Sequence, residues 1–558
     1  MLYRLFLPLL MVLVLTPAMA QPGDPLGGKD TIVIENERIA DVIDSEKPFL
    51  KPPYQKLEKG TTEDIRYESQ SFYVETDFTP PPPEIRAVEA QDEPPVTNNL
   101  LRLGIGRYVT PLAQLYVNNG PEKDLDYGLQ FTHRSAHADE IPLRRFREDY
   151  GTIQMSKIDR YLTAQGRVHL YNTQYFNYAG DDSTRIPGGE TAREDSLRMG
   201  FTRFDLGGRL FSNYDPAQQW SYDAGVNLRA YGDRRYNQEI HLDLTPSGAY
   251  HLNEEVQLGL KSQLTYVRGR IDSVGQNRFF VDLSPGLTFD NGVVKVFGGL
   301  RYNYFRNSAA TDSSGVFNLG PVIEARYMVQ PDRFSIFAGY TVGMTHNHYY
   351  DMIYENRYLS PEVEIRPTTD KMHIYLGAQG NVSDQIDFAG RLFYRRVQDQ
   401  LIYTTSDSLY FQAVYDSLMT HIGTHLEVNY DLEGNIQAGA ALSINIYNTS
   451  NQDSLTARFF HAAPLRLDLY GAYIWNDALT ARADLMIYGP TPMGIDGSTG
   501  EVITRGLFPD LNLSADYRIT EAISVYLTIN NLLNSRYQRW LNYPERRFDI
   551  MGGLTVAF

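Results

Sequence analysis

The sequence contains no cysteine, which excludes a disulfide framework and any thiolate-ligated metal. Beyond the first 15 or so residues it has no run approaching the ~20 consecutive apolar residues that a membrane-spanning helix needs. Cations are in deficit: 51 Lys and Arg stand against 68 Asp and Glu, for a net charge of −17. A nucleic-acid binder needs clustered cations to neutralise phosphates, so that class is excluded. Tryptophan is scarce where tyrosine and glycine abound, 3 Trp against 40 Tyr and 44 Gly, a balance foreign to helix-rich soluble chains.

What is present begins with an export signal. Arg4 precedes an almost unbroken apolar run, Leu5 to Leu15, which Pro17 interrupts. Ala18-Met19-Ala20 then places small residues where a signal peptidase reads, predicting a signal peptide over 1–20 and cleavage before Gln21. No cysteine follows that site, so a lipoprotein anchor is excluded.

Residues 21–98 carry 17 acidic against 8 basic side chains and are interrupted by Pro52-Pro53, Pro80 to Pro83 and Pro94-Pro95. Proline at that density removes ladder donors and favours extended backbone. We expect a periplasmic, mostly extended segment, with one short strand near Ser71 to Val74.

From Asn99 onward the pattern becomes period-two alternation between turn-forming clusters. Leu511, Leu513, Ala515, Tyr517 and Ile519 share one face, and Asp510, Asn512, Ser514, Asp516, Arg518 and Thr520 the other. Ile523, Val525, Leu527 and Ile529 alternate with polar neighbours. So do Leu465, Leu467 and Leu469 against Arg466 and Asp468, and Leu479 to Ile487 against Arg482 and Asp484. Strands of 9–11 residues with one apolar and one charged face fit a wall between lipid and a wet lumen. Backbone groups in hydrocarbon must all be paired, so such a sheet has to close. Tight turns are expected at Asp290-Asn291-Gly292, Glu433-Gly434 and Asn476-Asp477, and longer polar loops at Asn307 to Gly315, His346 to Asn356 and Gly489 to Thr504. Glu254 to Arg270 and Asp384 to Thr404 read as long strand-like stretches. The fold class predicted is all-β: an antiparallel transmembrane barrel over 99–558, which at ~10 residues per crossing holds about 18–22 strands, even in number.

The C-terminus alternates Phe548, Ile550, Gly552, Leu554, Val556 and Phe558 against Asp549, Met551, Gly553, Thr555 and Ala557. A last strand ending on Phe558 in the apolar register resembles the signal read by the barrel-assembly machinery. Asn530-Asn531-Leu532-Leu533-Asn534-Ser535-Arg536-Tyr537 resembles the penultimate-strand motif of TonB-dependent receptors, and Tyr543 to Phe548 with Gly552 to Phe558 resembles their closing strand. Ser360-Pro361-Glu362 is similar to a mid-barrel motif of that family. The resemblance is specific over the last two strands and diffuse elsewhere, and Leu101 to Asn119 resembles the start of plugless, receptor-like barrels of the Bacteroidota type. Residues 21–98 are much shorter than the globular plug of the family and lack its glycine and arginine pattern. Asp30-Thr31-Ile32-Val33-Ile34 resembles the box that pairs with a TonB-type energy transducer by strand addition; the plain alternative is an ordinary periplasmic strand.

Enzyme chemistry finds little footing. His346-Asn347-His348 near Asp351 offers two ligands in what reads as a surface loop, and no spacing fixes a third. His421 and His425 share a strand face about 13 Å apart, too far for one ion. His133 and Ser135 share a face, but the sequence shows neither an acid partner nor a nucleophile elbow. No catalytic, cofactor-binding or metal residue is assigned. The reading is a non-enzymatic barrel of the transport class in the cell outer membrane, passing solutes through a polar lumen, porin-like or receptor-like. Arg466, Asp468, Arg482, Asp484, Asp510, Asp516 and Arg518 would line that lumen and set its local field. The alternative is a structural subunit whose acidic segment docks a periplasmic partner and whose loops dock a surface one.

Overall fold

The computed structural model describes residues 99–558 apart from 120–124, 138–140, 142, 179–196, 214–217, 310–312, 332, 406–409, 433, 451–457 and 477. The leader, the proline-rich segment and Asp30 to Ile34 lie outside the described residues. Twenty-two strands form one antiparallel sheet. It closes because Asn99–Gly106 pairs with Asp549–Ala557, in the register Leu100↔Ala557 to Gly106↔Met551. Asn99 and Phe558 exchange both backbone hydrogen bonds at the end of that seam, at 3.2 and 3.0 Å. Closure removes the exposed edge that would otherwise leave backbone groups unpaired in lipid.

The seam is tight for a reason legible residue by residue. Gly104 and Gly553 face each other across it, and the Tyr526 ring lies over both; a Cβ at either position would collide with it. The Arg102 guanidinium sits 3.5 Å above the same ring. Glycine is needed here for close approach, and the tyrosine covers the backbone that it exposes.

Alternation sets the two faces. Leu129, Phe131, Leu206, Leu258, Leu300, Leu319, Ile323, Leu376 and Leu426 are exposed on the outer wall. Aromatic residues gather towards its margins, with Trp220 and Tyr250 in contact at 4.7 Å near the end that holds the termini. No helix among the described residues is long and apolar enough to cross a membrane; this chain crosses with strands.

Connections at the termini's end span two to seven residues, and the expected turn at 290–292 falls there, as do Gly434 and Asn476; Glu433 and Asp477 lie outside the described residues. At the other end six connections run to 16–22 residues: 177–197, 346–367, 399–418, 449–464, 489–507 and 531–548. Several expectations need correction. Asn307 to Gly315 is not a long loop, because Val294–Ala309 and Ser313–Gln330 pair almost to their tips. Asp384 to Thr404 is broken at Asp399, whose φ of 53° turns the chain out of the wall. Ile386–Gln398 stays in the barrel, while Gln400–Thr405 pairs with Phe411–Asp416 in a separate hairpin. The penultimate strand ends at Asn530 and the last begins at Asp549, so Asn531 to Tyr537 and Tyr543 to Phe548 belong to the connection between them. Ser360-Pro361-Glu362 lies in the 346–367 connection, not in a wall strand.

Candidate functional site: the lumen and the loop seated in it

The lumen wall is charged, and many of its arginines are paired with carboxylates. Arg466 pairs with Asp468 at 2.8 Å and Arg482 with Asp484 at 2.7 Å, each two residues along one strand. Asp516 stands 3.6 Å from Arg102, and Asp510 accepts from the Tyr537 hydroxyl at 3.3 Å. Arg518 sits at the termini's end of its strand, its backbone N–H bonded to Ala478. Sequence reading missed the same device on other strands: Asp205 between Arg203 and Arg229, Arg301 on Asp282, and Arg395 on Asp370 at 2.9 Å. Paired charges hydrate a wall while cancelling each other's field beyond a few ångströms. Where its charges are paired, the wall presents dipoles to a solute, while Asp510 and Glu324 are held by tyrosine hydroxyls.

The structure corrects the placement of His346 to Asn356. Instead of a surface loop, this segment folds into the lumen, where Tyr349–Glu355 forms a two-turn helix. Tyr349 and Met352 are each 1% exposed. The lumen is itself a polar interior, so a polar loop is at home there. Glu239 on the wall holds it. Its buried carboxylate accepts the backbone N–H groups of Tyr349 and Tyr350 at 3.4 and 3.3 Å, while Arg278 and His241 bind the same carboxylate. Arg278 also donates to the carbonyl of Asn347 at 3.3 Å. Asn237 donates to the Tyr349 hydroxyl at 2.9 Å, and that hydroxyl lies 3.2 Å from Asp233. Arg203 and Arg229 stand over the Tyr350 ring at 4.4 and 4.9 Å.

Burial holds the imidazoles of His346 and His348 well below the ordinary histidine range; Arg278 and His241 push the same way. Burial also raises the Asp351 carboxyl. His348 packs edge-on against His241 at 4.5 Å. Among the described residues no group of three or more His, Asp or Glu is placed to hold a metal ion.

Two further hairpins pack beside the loop at the long-loop mouth. Tyr358 stacks on Tyr543 at 3.4 Å, and Trp540 packs against Tyr403 and Phe411 at 5.5 and 5.3 Å. Ser360 and Phe411 are tied by a backbone bond of 2.7 Å, and the Tyr403 hydroxyl donates to Glu355 at 2.8 Å. The result is an apolar core inside the barrel, running from Tyr171 and Phe201 on the wall to Leu359 and Ile365 on the loop. Each buried aromatic adds roughly 1.5–3 kcal/mol to keeping the loops in place.

His133 acquires the acid partner absent from its neighbourhood in sequence. Asp149 lies opposite it on the next strand, with Oδ1 2.6 Å from His133 Nδ1, while His133 Nε2 is 3.2 Å from Ser135 Oγ. Yet Ser135 is 1% exposed and its Oγ is shared with His137 at 3.3 Å. Asp149 is also engaged by Arg147 at 2.8 Å, and neighbouring strands on both sides flank the segment. Acyl transfer needs an accessible nucleophile facing donors for the oxyanion; these residues form a hydrogen-bonded network on the outer face. His421 and His425 bond separately to Asn445 and Ser443.

Comparison with known proteins follows the barrel. No family model and no curated sequence matches the chain. Among solved structures, the FrpB iron transporter from Neisseria meningitidis superposes with a TM-score of 0.65 at 12% identity, over 82% of each chain. The ferric-catecholate import receptor Fiu from E. coli K12 gives 0.64 at 10%, over 83% of this chain and 82% of that one. The ferripyoverdine receptor of the outer membrane of Pseudomonas aeruginosa gives 0.61 at 11%, over 82% and 71%. The chain has the barrel fold of the TonB-dependent receptors. Likeness at this level of identity establishes architecture, and what those proteins carry stays with them.

Proposed function

We propose that this chain is an outer-membrane barrel of the transport class whose solute path runs through the lumen and is closed from within by residues 346–367. The observation that carries the reading is that loop: a buried helix bound to the wall through Glu239, inside a 22-stranded barrel too wide for its own side chains to fill. A paired, hydrated wall lets polar solutes pass without trapping either sign of charge. The structural neighbours named as transporters and import receptors support the same class. On this reading residues 21–98 form a periplasmic segment, and Asp30 to Ile34 is the strand through which a transducer would pull.

Planar-bilayer conductance of the purified chain, whole and lacking residues 21–98, tests the proposal. Silence in the whole chain with conductance after truncation makes the segment a plug. Silence in both, relieved by unseating the loop, makes 346–367 the closure. Silence under all three conditions overturns the transport reading in favour of a subunit that docks partners. For energised uptake, Ile32→Pro removes a pairing N–H and is expected to abolish it; unchanged uptake rules out that role for the strand.

A further inference from the structure

The outer wall carries a cationic patch that the lumen reading leaves unused. On Val256–Ile271 the outward positions are the even ones, as exposed Leu258, Leu260 and Tyr266 show. Arg268 and Arg270 continue that face and are exposed. On Val294–Ala309 the outward face holds Leu300 and then, towards the long-loop end, exposed Arg306. The strand between them, Val274–Asp290, places Asn277 opposite Arg268 and Phe279 opposite Arg306. Strand spacing therefore puts Arg268 about 7 Å from Arg270 and about 12 Å from Arg306, with Arg270 and Arg306 at the two ends of the patch, about 16 Å apart.

Depth orders this face by chemistry. An aliphatic belt at Leu258, Leu260, Leu287 and Leu300 gives way to a row holding Tyr266, Phe279 and Arg306, with Phe317 just below it, and then to Arg268 and Arg270. An arginine is costly at the bilayer midplane and tolerated at the interface. The trio stands where its charge is tolerated, Arg306 level with the aromatic row and Arg268 and Arg270 just past it. None of the three makes a side-chain hydrogen bond, ion pair or ring contact among the described residues. That contrasts with the lumen, where arginine after arginine is matched to a carboxylate. Nor does the outward register supply an acid: from Gln238–His251 through Val274–Asp290 to residues 315–329, the outward positions hold no Asp or Glu. Asp272, the nearest carboxylate along the chain, is in the tip beyond Arg270.

Three unmatched guanidiniums at headgroup depth and facing lipid are complementary to phosphate, which arginine binds through two parallel N–H···O contacts. We infer that Arg268, Arg270 and Arg306 form a binding site for the phosphorylated headgroup of a membrane lipid in the leaflet at the long-loop end. A headgroup with two phosphates fits best, since one phosphate cannot engage arginines on strands two apart and leave none unmatched. The site lies on the lipid face and does not depend on the proposed transport function.

Native mass spectrometry of the full chain in non-ionic detergent tests this, with bis-phosphorylated lipid A, its dephosphorylated form and phosphatidylcholine as probes. The wild type is expected to retain the bis-phosphorylated lipid over the other two. R268Q/R270Q/R306Q is expected to weaken that retention about a hundredfold, and the single R306Q by several-fold. Arg396→Gln, an exposed arginine on a different stretch of wall, is expected to leave it unchanged. Retained heat-modifiable migration on gels confirms that each variant is still a barrel, and R306Q carries the test if the triple variant does not fold. Equal retention by wild type and R306Q, equal retention of phosphatidylcholine, or displacement of the lipid by inorganic phosphate at matched concentration would each overturn the assignment.

Discussion

Replacing Glu239 by alanine removes the wall's grip on the lumenal loop. Glu239 is fully buried, and its carboxylate serves two backbone N–H groups of the loop together with Arg278 and His241 on the wall. Deleting one partner of a buried ion pair costs ~3–5 kcal/mol, but most of that cost falls on the wall whether or not the loop is seated. The share that distinguishes seated from released is the pair of N–H acceptors, each about 1 kcal/mol or somewhat more where the donor is left buried. Roughly 2–3 kcal/mol lost from seating shifts the ratio of seated to released loop by roughly 30- to 150-fold. Single-channel recording should show this as open events that the wild type lacks, and limited proteolysis should show new cleavage within 346–367. Glu239→Gln, which keeps an acceptor oxygen but drops the charge beside Arg278, should fall between. If Glu239→Ala is as silent and as protease-resistant as the wild type while still a heat-modifiable barrel, the loop is held by its aromatic core and Glu239 is not the latch.

Three further outcomes follow from the same geometry. His346 and His348 are seated with pKa values depressed below the free value of 6.5; the seated loop thus binds fewer protons than the released one. Seating is at full strength above that value and weakens as pH falls below it, by up to about 1.4 kcal/mol per unit for each histidine, so protease protection of 346–367 should decline on acidification and be restored at neutral pH. Leu359 and Phe411 form a bridge between the loop and the neighbouring hairpin, at a spacing a disulfide accepts. In this cysteine-free chain, Leu359→Cys with Phe411→Cys should crosslink cleanly and suppress the open events of Glu239→Ala until a reductant is added. Gly553→Val forces a branched side chain into the Tyr526 ring at the seam; overpacking of this kind costs ~1–3 kcal/mol and should lower the temperature at which heat-modifiable migration is lost, whereas a substitution at exposed Leu554 should not.

The sequence by itself determined which residues face lipid and which face water, because in a strand that choice is local: neighbours point to opposite sides, and five or six alternations suffice to read it. Leu513, Tyr517, Leu527 and Leu554 could be placed without knowing what they pair with. The range of strand number followed from length, and the turns at 290–292 and 476–477 from their own residues. Only the tertiary structure decided what depends on pairing across the chain. Arg466 with Asp468 lies within one strand and was open to reading, but Asp516 meets Arg102 only because the last strands close on the first, and His133 meets Asp149 only once the hairpin register is set. A polar loop reads alike whether it enters solvent or a hydrated lumen, so His346 to Asn356 looked like surface. The apolar residues of the 346–367 connection, Met352, Ile353, Leu359, Val363 and Ile365, were the signal that some of this segment had to be buried, and the closed wall around them decided where.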